Sequence, residues 1–424
     1  MKILLANKFF YLKGGSEYVF FEQAELLKKR GHKIIFFSMK HPKNFSSKYE
    51  EYFINQVDYE KGGIRTKISA SFKLLYSFEA KRKIDELIRN EKPDIAHLHN
   101  IYHQISPSIL HALKRYNIPI VLTLHDCKIV CASHLMLANG KVCEACKNGR
   151  YYNCFLKKCV KNSKVKSLLN TIEMYLHHKI LHIYDLVDVF ISPSRFLKDK
   201  LREMGFKKEI VYLPNFVNVD EFNPFYEWEE KSIVYFGRLS REKGLFTLIE
   251  AVKDLDVKLK IIGEGPIRES LELGVRSEGV GDDGVRSREL GVRSEGVGNV
   301  EFLGYKAGKD LKDEIRKSMF VVVPSECYEN NPRSVIEAFA LGKPVLGSNT
   351  GGIPELVKDK ERGLLFEAGN KEDLRERIQY LLQNLQKVIE MGKDARKFVE
   401  EELNEERFYR RLMEIYLRLV ESRK

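Results

Sequence analysis

The chain has 424 residues, which exceeds one ordinary hydrophobic core and fits two domains of about 200 residues each. It is 43% hydrophobic and 31% charged, a balance that excludes disordered and fibrous chains. No apolar run reaches the ~20 residues of a spanning helix and no signal-peptide pattern opens the chain, so we expect a cytoplasmic protein. Lys plus Arg exceeds Asp plus Glu, 72 against 60, which favours nucleotide phosphates, acidic lipids or nucleic acid as partners, or only a lysine-rich solvated surface.

The first half alternates short apolar runs with amphipathic stretches, the pattern of parallel strands joined by helices. It predicts a helix from Glu17 to Lys29 and one sheet containing every strand of this half. The predicted strands are residues 2–6, 32–38, 94–99, 118–125, 186–192 and 210–214.

Between Pro214 and Pro224 this pattern breaks, and it restarts at Ser232. The strands predicted for a second open sheet are residues 232–237, 259–263, 300–304, 319–325 and 343–348. We therefore predict an α/β protein with an N-terminal domain at 1–214, a C-terminal domain at 215–400 and a closing helix at 401–424. That last helix has an apolar face that must pack on another element. The face comprises Phe408, Leu412, Ile415, Tyr416 and Leu419.

A duplicated segment interrupts the second domain. ELGVRSEGVG occurs at 272–281 and again at 289–298. Its period of 17 residues and its many glycines do not suit a stacked solenoid. We predict a mobile surface loop at 272–298 with no catalytic role.

The most informative stretch runs from Pro324 to Val357 and follows a predicted buried strand. In open α/β sheets, ligands bind at the carboxyl ends of the strands. Glu329 lies in the loop and Glu337 two helical turns later, where a carboxylate can accept hydrogen bonds from sugar hydroxyls. Asn331 and Ser334, between them, are further donor-binding candidates. Taken alone, each Glu is more often an ordinary exposed acid at a helix start, where the helix dipole favours it.

Two other loops add groups suited to anions. Arg238 and Lys243 lie between a strand and a helix, where two cations beside a helix N-terminus can hold a diphosphate. The TGGIPE loop at 350–355 contains two glycines whose amides can approach a phosphate closely. Its candidate ligand-binding residues are Gly351, Gly352 and Glu355.

The N-terminal half contributes a glycine turn, Gly14 and Gly15, directly ahead of the first helix. It also places His97, His99 and His125 at or near strand ends. A histidine in such a run is more often structural than functional. His125 is the exception we select, because Asp126 beside it begins a loop.

Together these motifs resemble the retaining glycosyltransferases of family 4, which have the GT-B fold. The resemblance rests on E-x7-E, G-x-L-x-x-E-K-G and G-G-x-x-E, and it covers nearly the whole chain. It implies two Rossmann-like domains with an inter-domain cleft and a C-terminal helix that crosses back to the N-terminal domain. By the same resemblance Glu329 contacts the donor sugar, Glu337 the ribose, Arg238 and Lys243 the diphosphate.

Gly15 would lie near the phosphates and His125 near the transferred sugar. The implied reaction moves a hexose from a nucleoside diphosphate sugar to a hydroxyl acceptor, in polysaccharide, glycolipid or lipid-linked glycan synthesis, without a cofactor at the donor site. Asn330 to Pro332 depart from the Gly-Phe-Gly of many relatives. Two alternatives stay open: an inactive metal-bearing binding protein on the same scaffold, and a sugar-nucleotide epimerase.

Six of the seven cysteines fall between residues 127 and 159. Cys143 and Cys146 form C-x2-C, a spacing common in tetrahedral zinc sites. Because cytosolic chains rarely keep disulfides, we consider structural zinc, an iron-sulfur cluster, or unligated or paired thiols. The candidate metal ligands are Cys131, Cys143, Cys146, Cys154 and Cys159.

The cysteine-rich insert at 127–166 is also cationic. It contains Lys141, Lys147, Arg150, Lys157, Lys158, Lys161, Lys164 and Lys166. We expect it to favour an anionic or lipid-linked acceptor and peripheral contact with the inner face of an anionic membrane. Few aromatic side chains accompany these cations, so nucleic acid is not an expected partner.

Overall fold

The computed structural model describes residues 1–57, 73–276 and 298–423. The chain forms two compact units, one of residues 1–215 with 405–424 and the other of residues 216–404. Within the described ranges, no helix is both long enough and apolar enough to cross a membrane.

The first unit contains a six-stranded parallel sheet in the order β2-β1-β3-β4-β7-β8. Its strands are β1 Lys2–Ala6, β2 Lys33–Phe37, β3 Ile95–His99, β4 Ile120–Thr123, β7 Val189–Ser192 and β8 Ile210–Tyr212. Most strand residues are buried, as expected of a parallel sheet covered on both faces. This confirms the prediction that the strands of the first half share one sheet.

The described helices of this part are α1 Gly15–Lys29, α2 Phe78–Glu91, α3 Ile109–Arg115, α4 Tyr152–Leu156, α5 Lys164–Tyr175 and α6 Arg195–Glu203. Serine side chains cap three of them. Ser77, Ser163 and Ser194 each accept a hydrogen bond from a backbone amide in the first turn.

The cysteine-rich insert follows β4 and has little regular structure. It contains a short antiparallel hairpin, β5 Leu137–Ala138 with β6 Lys141–Val142, and then α4. Lys128 enters the protein interior and pairs with Glu173 of α5 at 2.7 Å. Its ammonium also donates to Asn170 and to the backbone oxygen of Ala132. This buried ion pair joins the start of the insert to the helix that ends it.

The second unit has its own six-stranded parallel sheet, ordered β11-β10-β9-β12-β13-β14. The strands are β9 Ser232–Phe236, β10 Lys258–Ile262, β11 Val300–Gly304, β12 Phe320–Val323, β13 Val345–Ser348 and β14 Gly363–Phe366. Five of these were predicted. The sixth, β14, was missed because it begins with a glycine and has only three apolar residues in a row.

The described helices of the second unit are α7 Leu245–Val252, α8 Arg268–Arg276, α9 Gly308–Lys317, α10 Arg333–Ala340, α11 Ile353–Val357, α12 Lys371–Gln383 and α13 Leu385–Glu402. The first five residues of the duplicated segment, 272–276, end α8 and are helical, which corrects the predicted start of a loop there. The remainder of that prediction, apart from Gly298, lies outside the described residues.

The last helix, α14 Glu405–Glu421, packs within the first unit. Tyr416 is fully buried there, and its hydroxyl is hydrogen-bonded to His97 Nδ1 at 2.6 Å and to Gln23 Nε2 at 3.2 Å. Nearer the start of the helix, Arg411 donates to the backbone oxygen of Tyr212 at 2.7 Å. The apolar face read from the sequence is therefore the face that this helix buries, with Leu419 only half-buried.

We expect Leu412→Ala to lower the free energy of unfolding by about 2–5 kcal/mol, because Leu412 is fully buried and alanine leaves a cavity. The matched control is Leu417→Ala in the same helix, where the side chain is 46% exposed. This control should change stability by less than about 0.5 kcal/mol. Equal losses in denaturant titrations of the two variants would contradict the packing described for α14.

Candidate active site

Three loops of the second unit meet at one edge of its sheet. They follow β9, β12 and β13, which are neighbours in the sheet. Because the strands are parallel, their carboxyl ends all lie at this edge, where open α/β sheets bind ligands. The loops carry Lys243, Glu329 and Gly351, in that order.

Lys243 and Glu329 form an ion pair between the first two of these loops. The same carboxylate oxygen of Glu329 accepts a hydrogen bond from the Ser325 hydroxyl at 2.6 Å. The side chains of Lys243 and Glu329 remain 27% and 14% exposed, so both can still be reached by a ligand. The site thus holds a cation and an anion fixed against each other at the surface of the domain.

Electrostatics keep both groups charged. Burial raises the pKa of Glu329, but the Lys243 ammonium and the hydrogen bonds from Lys243 and Ser325 outweigh it, and the pKa lies below its usual range. For Lys243, burial lowers the pKa, but the charge and hydrogen bond of Glu329, together with Cys327 and Tyr235, outweigh burial and raise the pKa above its usual range. Lys243 is therefore a permanent ammonium, a suitable counter-charge for a phosphate.

Backbone crowding fixes the positions of these loops. A β-carbon on Gly244, which has φ +69°, would overlap the backbone oxygen of Pro324. One on Gly351, at φ +62°, would overlap the backbone of Glu329 and lie 2.5 Å from its nitrogen. Both positions require glycine for two reasons: the left-handed backbone conformation and the close approach of another backbone segment. Gly244 and Gly351 therefore help to set the positions of Lys243 and Glu329.

The Gly352 amide donates to the backbone oxygen of Glu329 at 2.7 Å. That amide was expected to face a phosphate, so the structure gives it a different role: it holds the Glu329 loop. Gly351 is half-buried and Gly352 buried. Glu355, in the first turn of α11, is half-buried.

Glu337 lies on α10 and is paired with Arg333 of the same helix. The guanidinium donates to one carboxylate oxygen of Glu337 from Nε at 3.0 Å and from a terminal nitrogen at 2.8 Å. Glu329 and Glu337 therefore have different partners, although both carboxylates stay partly exposed, 14% and 18%. Ser334 is half-buried on the same helix, and Asn331 is buried just before it.

Arg238 is exposed in the loop directly after β9, the loop that also contains Lys243. Its backbone oxygen accepts a hydrogen bond from the Tyr235 hydroxyl at 2.8 Å. The neighbouring Leu239 backbone touches Gly265, where a β-carbon would overlap the Leu239 oxygen. Arg238 and Lys243 thus place two positive charges on one loop, and the backbone of that loop contacts the Tyr235 hydroxyl and Gly265.

In the first unit, Gly14 and Gly15 are exposed at the start of α1, with Gly14 in extended conformation as the N-cap. Glu17 follows them and is buried. Burial raises the pKa of Glu17, while hydrogen bonds from Asn7 and Ser16 and the charge of Lys8 oppose the rise. Lys8 itself has a lowered pKa because of burial, despite the nearby Asp126 and Glu17.

His97 and His99, in β3, and His125, just after β4, form a stack of rings. Ring centroids are 4.6 Å apart for the first pair and 5.1 Å for the second, and His99 Nδ1 is hydrogen-bonded to His125 Nε2 at 2.8 Å. Burial lowers the pKa of His97 to about 3 and that of His125 to about 4, so both are neutral at pH 7. His97 also contacts Thr123 and Tyr416 and is structural, whereas His125 is only half-buried.

Residues 13–221 match the model of Glycosyltransferase Family 4, and residues 220–398 match that of Glycosyl transferases group 1. The two matches abut near residue 220. The chain carries a family 4 glycosyltransferase domain and a group 1 glycosyltransferase domain. It is 26% identical over 398 residues to an uncharacterized glycosyltransferase of Methanocaldococcus jannaschii, covering 94% of this chain and 93% of that one.

The N-acetyl-alpha-D-glucosaminyl L-malate synthase of Bacillus anthracis is 23% identical over 429 residues, covering 98% of this chain and 97% of the relative. Among solved structures, sucrose-phosphate synthase of Thermosynechococcus elongatus superposes with a TM-score of 0.73 at 19% identity over 99% of each chain. Anabaena HepE in complex with UDP and glucose gives 0.66 at 16% identity, over 98% of this chain and 99% of that one. The fold of this glycosyltransferase is therefore GT-B, as the motifs implied.

Four residues of the glycosyltransferase were not selected from the sequence: Ser325, Arg333, Glu17 and Lys8. Arg333 was detectable, because Arg and Glu four residues apart on a helix commonly pair. The sequence indicated Ser325 only weakly, through its position just after a buried strand. It did not indicate Glu17 or Lys8, since the partners of these residues lie on other elements.

We expect Gly351→Ala to destabilise the glycosyltransferase more than Gly308→Ala. Both glycines have positive φ, +62° and +56°, so alanine at either costs about 1–2 kcal/mol in backbone strain. Only at Gly351 does the new β-carbon also overlap the Glu329 backbone, whereas nothing lies within 4 Å at Gly308. Denaturant unfolding of both variants measures the difference, and equal losses would show that the contact with Glu329 has no energetic weight.

Proposed function

We propose that this glycosyltransferase moves a hexose from a nucleoside diphosphate sugar to a hydroxyl acceptor with retention of anomeric configuration. The observation that carries the proposal is the Lys243–Glu329–Ser325 arrangement at the carboxyl ends of two adjacent strands, β9 and β12. It combines a permanent cation for a diphosphate with a charged carboxylate for sugar hydroxyls.

In this proposal each charged group has one role. Glu329 accepts hydrogen bonds from hydroxyls of the donor sugar, and Glu337 from those of the ribose. Lys243 and Arg238 bind the diphosphate and stabilise the negative charge that grows on it as it leaves. Ser325 and the Gly352 amide act as positioning groups, because they hold the side chain and the backbone of Glu329.

The chemical step breaks the bond between the anomeric carbon and the diphosphate oxygen. The acceptor oxygen forms its bond to the same face of that carbon, and its proton passes to the departing phosphate oxygen. The products are the glycosylated acceptor and the nucleoside diphosphate. His125 would lie near the transferred sugar, where its lowered pKa makes it a neutral hydrogen-bonding group.

Similar proteins support a nucleotide-sugar donor and a role in glycan synthesis. HepE of Anabaena has been solved with UDP-glucose, and TarM of S. aureus with UDP. An amylovoran biosynthesis glycosyltransferase of Erwinia amylovora is 26% identical over 247 residues. We propose cell-surface polysaccharide, glycolipid or lipid-linked glycan synthesis as the setting of the reaction.

The surface of the cysteine-rich insert supports a lipid-linked acceptor. Helices α4 and α5 pack together and expose large apolar side chains. These are Tyr152, Leu156, Val165, Leu168 and Ile172, which are 44–77% exposed. The eight Lys and Arg residues of the insert named above are exposed as well. Exposed apolar side chains and cations on the same segment fit an anionic membrane interface, which takes up both.

We expect Lys243→Ala to reduce kcat/KM for transfer by about 10²-fold or more, the usual effect of removing one group that stabilises transition-state charge. A thermal-shift screen of nucleoside diphosphates and their sugars first identifies the donor, because a ligand of the folded state raises Tm. The matched control is Lys306→Ala. Lys306 is also 27% exposed and also paired with a glutamate, Glu314. The assignment fails if Lys243→Ala retains the turnover of that control while both variants remain folded.

We expect the wild-type protein to sediment with vesicles of phosphatidylcholine and phosphatidylglycerol more than with phosphatidylcholine alone. The variant L156S/V165S/L168S should lose at least half of that binding, because each side chain is exposed and apolar. The control Y305S/L385S/L417S removes three apolar side chains outside the insert, which are 43–63% exposed. If it weakens vesicle binding as much as the first variant, the insert is not the membrane surface.

A further inference from the structure

The cysteine-rich insert brings together five thiols from separate parts of its sequence. Cys131, Cys143, Cys146, Cys154 and Cys159 all line one cavity of about 10 Å³. A cavity of this size accommodates about one water molecule or one ion. The polypeptide around it has few stabilising elements of its own, since its strands are two residues long and α4 has five.

Four of the five thiols form a mutually interacting set. Every pair among Cys131, Cys146, Cys154 and Cys159 is close enough for one sulfur to affect the ionisation of the other. Cys143 interacts with Cys146 and, like Cys159, is half-buried.

We propose that Cys131, Cys146, Cys154 and Cys159 bind one structural zinc ion as four thiolates, with Cys143 at the edge of the site. Thiolate is the preferred ligand of structural zinc, and four ligands complete its tetrahedral shell. Binding releases the protons of the four thiols and leaves a site with a net charge of −2. No electron transfer is involved, so all four cysteines remain reduced.

The surroundings of the cavity suit that negative charge. Lys157 lines the cavity itself, and the Lys and Arg residues of the insert lie along the same segment. The Cys131 Sγ lies 3.3 Å from the Ser133 hydroxyl, which can donate a hydrogen bond to a thiolate.

Binding requires a small rearrangement. As the side chains stand, the described residues include no group of three or more His, Cys, Asp or Glu that could hold a metal ion. Each cysteine has a single side-chain torsion that moves its sulfur, so rotation of the thiols around the shared cavity can form the tetrahedron. Metal binding then cross-links the insert, since its ligands come from positions 131 to 159.

The insert is attached to the rest of its domain next to these cysteines. Glu144 pairs with Lys200 of α6 at 2.8 Å, and the Asn148 amide donates to the Met204 oxygen at 2.8 Å. Cys127 does not line the cavity; in sequence it follows Asp126 and precedes the other five cysteines of the insert. It therefore supplies a control thiol within the same segment.

The test is the metal content of the full-length protein, expressed with zinc and purified without chelator. We expect one zinc per chain in the wild type and in Cys127→Ser. Cys146→Ser and Cys154→Ser should lose most of it, and Cys143→Ser should retain it. Zinc loss in Cys143→Ser equal to that in Cys154→Ser would overturn the proposed ligand set.

Two further measurements use the wild-type protein, so they test the proposal even where a cysteine variant fails to fold. Removing metal from the wild type with a chelator should lower Tm, and adding zinc back should restore it. Replacement by Co²⁺ should give the charge-transfer and tetrahedral d–d absorption of a thiolate site. Protein without metal, iron in place of zinc, or fewer than the seven free thiols of the sequence after denaturation would each overturn the proposal.

Discussion

Backbone groups of the second domain approach each other so closely at several glycines that a side chain would not fit. Around the candidate site, at Gly244, Gly265 and Gly351, a β-carbon would overlap a backbone oxygen of another loop. These contacts act over a shorter range than ion pairs and fix distances more narrowly, because steric repulsion rises steeply as two atoms approach. They set the spacing of the loops before any charge is considered. The ion pair of Lys243 with Glu329 then forms between backbones already fixed.

The charged groups of the site follow from that spacing. A partly buried cation and anion are stable only when paired, and each paired group keeps a lone pair or a proton for a ligand. Glu329 gains two partners, Lys243 and Ser325, while Glu337 has Arg333 on its own helix. A diphosphate would compete with Glu329 for Lys243, so ligand binding and the internal ion pair are linked. Such a site is preorganised, because its groups are charged and oriented without the ligand.

Much of the architecture could be predicted from the sequence because parallel strands are continuous apolar runs. Eleven strands of the two sheets were found in this way, and the exception, β14, begins with a glycine and has only three apolar residues in a row. The loop motifs indicated which strand ends matter, since glycine and charge recur there. The role of Ser325 as a partner of Glu329 was not predicted, because its hydroxyl is directed by the loop rather than by a periodic pattern. The role of the Gly352 amide was misread for the same reason: its partner, the Glu329 oxygen, lies 23 residues away in sequence.

The cysteine-rich insert differs from both sheets in what stabilises it. Its strands and helix are too short to bury a core, and the buried ion pair of Lys128 with Glu173 joins only the start of the insert to α5. Small segments of this kind are commonly held by metals or disulfides. A zinc tetrathiolate would supply that cross-link, and its net charge of −2 would offset part of the surrounding positive charge. The remaining lysines and the exposed apolar side chains of α4 and α5 would then lie on a rigid surface. A rigid surface favours membrane binding, because the insert loses less conformational entropy when it binds.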